Sequence, residues 1–321
     1  MPISDAQLGR IVAHALPGAH LREAEPLGER TLLLTLGEQR RAVLRLGAPP
    51  DPGAGDPLAA EAAALRALGA EVELPLPAVL AQDLQGEAGL SYLLLSYLEG
   101  TPLLELAGAL DEEQRYAVGR ALGALVARAH QYSAPAYGAL DPARPPAYHP
   151  AGAVARAAPN TLPARVDDSD VRYYHARLQA ALDAAHGAGE LDAAGAARLV
   201  AWAMARVAST GQPAALTHGD LRPGRVLVRR RERRWSLAGL TGWGYAQGWR
   251  PAWDHVALME HFAGPEYFSV RVGYGNAYDE STERRYDQLR EFALAPYRLV
   301  LFLEAGRADL ALALLSRGEE R

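Results

Sequence analysis

The 321-residue chain contains no cysteine. That excludes disulfides, thiol nucleophiles and thiolate metal sites. It contains no lysine either, so all 33 residues counted as lysine plus arginine are arginine. Ammonium catalysis and Schiff bases go with it. Asparagine occurs only at Asn160 and Asn276. No apolar run reaches membrane-spanning length, and the opening Met1-Pro2-Ile3-Ser4-Asp5 lacks the basic start and apolar stretch of a signal peptide. The sequence therefore reads as cytoplasmic, with no membrane contact. A net charge of -5 offers no overall attraction to nucleic acid, so no nucleic-acid partner is expected. What is present, 49% hydrophobic and 22% charged residues, is the composition of an ordinary globular protein. The length favours two lobes.

Ser4 before Asp5-Ala6-Gln7, with apolar Leu8, Ile11, Val12 and Leu16, predicts a capped amphipathic helix. Thr31 to Leu36 and Ala42 to Leu46, separated by Gly37-Glu38-Gln39-Arg40-Arg41, read as an antiparallel hairpin. A Gly- and Pro-rich loop over 48–57, a helix over 58–68, and strands at Val79-Leu80 and Tyr92 to Leu95 complete a small sheet with one crossing helix. From Leu98-Glu99-Gly100-Thr101-Pro102-Leu103 onward the pattern is mainly helical, which places a boundary between residues 1–97 and 98–321. Asp111-Glu112-Glu113 opens a helix through Ala129. A Pro-rich connection covers 134–163, and long connections are often binding loops. Helices are expected over 171–186, 192–209 and after 284. There is no internal repeat.

The chemistry concentrates in Thr217-His218-Gly219-Asp220-Leu221-Arg222-Pro223-Gly224-Arg225-Val226-Leu227-Val228, a loop entering a strand. A charged turn and the returning strand Trp235 to Leu240 follow, then Thr241-Gly242-Trp243-Gly244. Protein kinases present a catalytic aspartate, an asparagine five residues later and a second aspartate beyond a hairpin in this layout. The segment resembles the aminoglycoside phosphotransferases and related small-molecule kinases, whose motif reads roughly H-G-D-x-x-x-x-N followed by I-D-W or D-x-D.

The resemblance implies an α+β, protein-kinase-like bilobal fold, with a small antiparallel-sheet N-lobe and a mainly helical C-lobe. It implies that Arg45 on the third strand reaches nucleotide phosphate and that Glu61 orients it. By the same resemblance Ser96, Tyr97 and Leu98 form a hinge facing an adenine, Asp220 stands at the base position, and ATP or another nucleotide is the cofactor. His130 and the Trp253-Asp254 pair after Pro251 also match family positions.

The chain departs from the pattern at both metal positions. Arg225 stands where the asparagine belongs and Gly242 where the metal-binding aspartate belongs, and no Asp or Glu occurs between Glu232 and Asp254. Magnesium requires hard oxygen ligands, which glycine cannot supply. A guanidinium about 4 Å away contributes roughly 4 kcal/mol per unit charge at an effective dielectric of about 20, doubled against a divalent ion. Magnesium is therefore not expected to bind in the usual way. Arginine can instead hold phosphate or carboxylate directly.

The structural readings stand beside the functional ones. Asp220 and His218 can simply pin their own loop, and Arg45 with Glu61 can be a strand-to-helix ion pair. Arg229 to Arg234 reads as a solvated hairpin turn. Trp243, Tyr245, Trp249 and Trp253 read as core, and Asp254 as a helix cap or loop-fixing carboxylate. Three functions follow. The leading one is a pseudokinase, binding a nucleotide, another small anionic ligand or a partner in the cleft. The second is an active phosphotransferase acting on a sugar, amino alcohol or aminoglycoside hydroxyl. The third is an interaction module using the Arg-rich turn and the Pro-rich connection, for which the sequence names no protein partner.

Overall fold

The computed structural model describes residues 3–47, 56–69, 74–86, 89–106, 108–140, 143, 146–148, 169–207, 213–232, 234–262, 264–277 and 291–318. The loop expected at 48–57 lies outside the described residues up to position 55. So does the Pro-rich connection from 149 onward, and so does the start of the final helical region over 284–290.

Helix α1 (Asp5–Ala15) begins with the capping box read from the sequence: Ser4 Oγ accepts from the Gln7 N–H while the Gln7 side chain accepts from the Ser4 N–H. Such a cap contributes about 1 kcal/mol. Five antiparallel strands follow: β1 (Leu21–Gly28), β2 (Thr31–Leu36), β3 (Arg41–Leu46), β4 (Val79–Asp83) and β5 (Tyr92–Ser96), in the order β1-β2-β3-β5-β4. Strand β1 is absent from the sequence reading. Its Arg22, Glu23, Glu25, Pro26 and Leu27 are exposed on the sheet edge, where charge and proline are tolerated and period-two alternation is lost.

The expectation of one helix against the sheet is corrected to two, the capped helix read after Ser4 being the second, because both faces of the sheet are apolar. Leu34, Leu44 and Leu94 pack with Leu8, Ile11 and Val12 of α1. Leu93 and Leu95 join the larger core with Leu58, Leu65 and Leu68 of α2 (Pro57–Gly69). Burying each such leucine contributes roughly 1.5–3 kcal/mol. The strand period decides where Arg45 goes. Ala42 and Leu44 of β3 face α1, so Val43 and Arg45 face α2.

Beyond β5 the chain runs through β6 (Thr101–Pro102) into α3 (Glu112–Ala129), capped by Asp111. Helices α4 (Ser169–Gly187), α5 (Ala193–Met204), α6 (Pro251–His261), α7 (Gly264–Asn276), α8 (Glu291–Glu304) and α9 (Ala308–Gly318) form the rest of the helical part. Helices α3 and α7 meet backbone to backbone, since a Cβ on Gly123 would stand 1.9 Å from Val270 O and one on Gly273 1.9 Å from Arg120 O. That approach brings Tyr274 of α7 to the end of α3.

Two small sheets support the motif loop. One contains β7 (Tyr132–Ser133), β8 (Gly138–Ala139), β9 (Ala147–Tyr148), β10 (Ala215–Thr217) and β13 (Gln247–Trp249), in the order β8-β13-β10-β7-β9. The other is β12-β11-β6, built from β11 (Val226–Arg231) and β12 (Arg234–Leu240). Arg230, Arg231 and Arg234 are exposed at the hairpin end, as a solvated turn requires. Among the described residues no helix is long and apolar enough to cross a membrane.

Candidate functional site

Strand β10 delivers the motif loop, and a buried carboxylate from α6 fixes it. Asp254 Oδ2 accepts the His218 N–H at 2.7 Å and Oδ1 accepts the Gly219 N–H at 2.9 Å. His130 Nε2 lies 3.0 Å from the same Oδ2, and His130 Nδ1 lies 2.9 Å from the Tyr274 hydroxyl. Burial would raise the Asp254 carboxyl, but the His130 hydrogen bond and charge, His218 and the Gly219 N–H hold it below its usual range. Asp254 is thus the loop-fixing carboxylate of the two roles read for it. The helix cap itself falls at Arg250.

His218 pins the loop from inside. Its Nδ1 accepts the Asp220 N–H at 3.2 Å, so Nε2 carries the proton and donates to Thr241 O at 3.0 Å. Burial pushes its pKa down, against the pull of Asp254, and keeps the ring neutral. Gly219, at φ +83°, has room for nothing larger, because a Cβ there would stand 2.1 Å from Tyr245 O.

The carboxylate of Asp220 is held by two arginines. Arg225 Nε donates to Oδ2 at 2.8 Å and Arg225 Nη2 lies 2.7 Å from the same oxygen. Arg222 Nε lies 3.1 Å from Oδ1. The hairpin register explains the position of Arg225. The β11–β12 ladder starts at Val226 opposite Leu240, and Thr241 N–H and Oγ1 both donate to Arg225 O. Residue 225 therefore lies against 241–242. A Cβ on Gly242 would stand 2.7 Å from Arg225 Cδ and Nε and 3.0 Å from Cζ. The guanidinium fills the space that a side chain at 242 would enter, and Gly242 is further committed by φ +83°. The two departures seen in the sequence are one packing arrangement.

Arg45 and Glu61 meet, with Arg45 Nη1 donating to Oε1 at 3.0 Å and lying 2.8 Å from Oε2. Glu61 is buried, and burial raises its carboxyl against the opposing pull of Arg45, the Trp243 N–H and Arg225. That carboxylate therefore links α2 and β3 to the turn after Gly242. In the segment expected to be a hinge, Ser96 N donates to Ala78 O and Ser96 Oγ accepts from Ala78 N, each at 2.8 Å. The β3–β5 ladder ends at the Ala42–Ser96 pair, so the peptide groups of Tyr97 and Leu98 lie beyond it. The Arg41 guanidinium covers the Tyr97 ring at 4.1 Å. The aromatic set divides: Trp243, Trp249 and Trp253 are buried, whereas Tyr245 is 62% exposed.

Arg225 and Gly242 offer no oxygen ligand from their side chains, and among the described residues no group of three or more His, Asp or Glu could hold a metal ion. Sequence reasoning missed Arg222, whose spacing from Asp220 carries no pattern, and Tyr274, which is brought in only by the α3–α7 packing.

Next to this loop, His255 is fully buried, edge-on to Tyr274 with ring centroids 4.4 Å apart. Neither ring nitrogen has a hydrogen-bond partner among the described residues. Burial, with the His130 charge, pushes its pKa down to about 3 against the pull of Asp254. An unfolded histidine takes up its proton from about pH 6.5 downward. The folded one does so only near 3. Stability that is complete above the unfolded value is therefore lost as pH falls toward 3. At about pH 5 this group is expected to remove about 2 kcal/mol. His255→Phe should shrink the Tm difference between about pH 7.5 and about pH 5; an unchanged difference would remove His255 as the cause.

The model for the phosphotransferase enzyme family (APH) matches residues 24–292. Solved structures similar over nearly the whole chain include a Thermobifida fusca YX-ER1 protein provisionally assigned as a fructosamine-3-kinase. It is 20% identical, with a TM-score of 0.54, covering 95% of this chain and 98% of that one. The GDP and kanamycin complex of APH(2")-IIIa is 14% identical, with a TM-score of 0.59 and coverage of 98% and 97%. The ternary complex of a thermostable mutant of aminoglycoside phosphotransferase APH(4)-Ia with ADP and hygromycin B is 17% identical, with a TM-score of 0.54 and coverage of 97% and 96%. At these identities the likeness shows the shared fold. No curated protein matches the sequence significantly.

Proposed function

This chain belongs to the phosphotransferase enzyme family, and from that premise we propose that it is a catalytically impaired member binding a nucleotide or other anionic ligand in the cleft without magnesium. The observation that carries the reading is the Arg225 guanidinium, which bonds Asp220 Oδ2 and fills the space beside Gly242. An aspartate engaged on both oxygens by arginines is a poor base for a substrate hydroxyl. Phosphoryl transfer also depends on metal ions to neutralise charge and hold geometry.

In this reading residues 1–97 form the nucleotide lobe and 98–321 the helical lobe of a cytoplasmic protein. The adenine lies against the Tyr97 and Leu98 peptides, and Arg45 and Arg225 take the phosphates as fixed cations in place of the metal. Turnover with ATP and magnesium is expected to be undetectable against kanamycin, hygromycin B and fructosamines, the compounds that the similar structures bear or are assigned to. Robust phosphorylation of any of them, abolished by Asp220→Ala, would sink this reading. It would establish an active phosphotransferase instead.

A further inference from the structure

We propose that the Arg-rich end of the β11–β12 hairpin docks an extended acidic segment of a partner protein, which pairs with the open edge of β11 and lays its carboxylates on Arg229 and Arg231. Within 226–240 the chain carries five arginines and one acid, Glu232, in a protein of net charge -5. A solvated turn accounts for charge at the tip. It does not account for charge of one sign held on one face. The ladder pairs Arg229 with Ser236 and Arg231 with Arg234, so the arginines at 229, 231 and 234 share a face and two of them stand directly opposite each other. Like charges placed in this way oppose the hairpin. Other arginines of the chain meet a carboxylate, as Arg45 does Glu61, Arg177 does Glu304 and Arg250 does Asp170. Arg229, Arg231 and Arg234 meet none among the described residues, and Arg229 Nε is buried without a hydrogen-bond partner.

The backbone supplies a second, independent feature. The sheet order is β12-β11-β6, and β6 covers β11 only at Leu227 and Val228, opposite Pro102 and Thr101. Among the described residues no backbone hydrogen bond from outside the hairpin reaches Arg229, Arg230 or Arg231. This part of the strand therefore presents an unpaired edge. Such an edge accepts an extended peptide through main-chain hydrogen bonds, with specificity from alternate side chains. Side chains on one face of a strand recur about every 6.6–6.8 Å, which is the spacing of Arg229 and Arg231 and equally of alternate residues in an added strand. Acids at alternate positions thus meet the arginines one to one, and the guanidinium fork matches a carboxylate. The same charge excludes other occupants. A second copy pairing through this edge would set arginine against arginine, and a neutral strand would leave the cations unmatched. Nucleic acid matches the charge, but its phosphates cannot complete a strand ladder, which needs donors as well as acceptors.

The test is fluorescence anisotropy at low salt, with the full chain and labelled peptides of alternating Glu and Thr, Gln and Thr, or Glu and Pro, beside a single-stranded oligothymidylate. The Glu-Thr peptide should bind about tenfold more tightly than the Gln-Thr peptide, and added salt should weaken it. The Glu-Pro peptide keeps the charge but lacks the ladder donors, so it should bind about tenfold more weakly than Glu-Thr. The double change Arg229→Gln with Arg231→Gln should lose about tenfold in affinity for Glu-Thr. Arg230→Gln, on the opposite face beside Trp235, should stay within about threefold. Equal binding of the Glu-Thr and Gln-Thr peptides, equal binding of the Glu-Thr and Glu-Pro peptides, or an undiminished double variant would refute the proposal. Oligothymidylate binding more tightly than Glu-Thr, with the same loss in the double variant, would assign the surface to nucleic acid and refute it as well.

Discussion

Asp254→Ala is expected to cost about 3–5 kcal/mol of stability, the range for removing one partner of a buried charged network. The carboxylate is 1% exposed and serves the His218 N–H, the Gly219 N–H and His130 Nε2 together. Alanine leaves two peptide donors and His130 Nε2 without their partner in a buried site, and each orphan costs about 1–3 kcal/mol. For a chain of this size the fall in Tm should be on the order of 10 °C. Asp254→Asn keeps one acceptor oxygen and should lose less. Thermal unfolding of the three proteins decides the matter: a fall below about 2 °C for the alanine variant would mean that the loop is held elsewhere.

The second large effect is a change of ligand preference. If the cleft binds nucleotide as proposed, ATP with chelator should stabilise the unaltered protein at least as well as ATP with magnesium, because the side chains of Arg225 and Gly242 offer the metal no oxygen while the metal would mask phosphate charge from the arginines. A ligand at about a hundred times its dissociation constant raises stability by roughly 2.7 kcal/mol, which a melting curve resolves. Binding should also weaken with added salt. The double change Arg225→Asn with Gly242→Asp should reverse the preference toward the magnesium complex.

Packing adds a requirement on order. Gly242→Asp alone drives a Cβ to 2.7 Å from Arg225 Cδ and Nε at φ +83°. It should destabilise by about 1–3 kcal/mol, softened because aspartate tolerates positive φ better than most residues. Shortening Arg225 relieves the clash, so the two changes together should cost less than their sum. A strict magnesium requirement in the unaltered protein would show metal held by other groups. Additive costs for the two substitutions would show that Arg225 does not occupy that space.

Local pattern carried much of this structure. The capping box at Ser4, the helix opened by Asp111 and the hairpin of β2 and β3 are short-range arrangements, in which the partners lie within a few residues and the period of apolar side chains names the element. The motif from Thr217 to Gly244 was legible for the same reason, since its spacing is set by one loop and one hairpin. Edge strand β1 was not legible. Its residues are polar on an exposed edge, and only pairing with β2 makes them a strand.

That Arg225 and Gly242 stand at the two positions where the spaced motif expects other residues was also legible, because residue type at a position in a motif needs no coordinates. The sequence could not say where the Arg225 side chain goes. That depends on the β11–β12 register, which sets residue 225 against Gly242, and on Asp220 being turned toward it by His218 and Asp254. His130, Asp254 and Tyr274 are separated by more than a hundred residues or by a whole helix, and they meet only because α3 and α7 approach through glycines. Side-chain direction and long-range pairing are consequences of packing, and there the tertiary structure alone decides that the cation at position 225 is already bonded to Asp220.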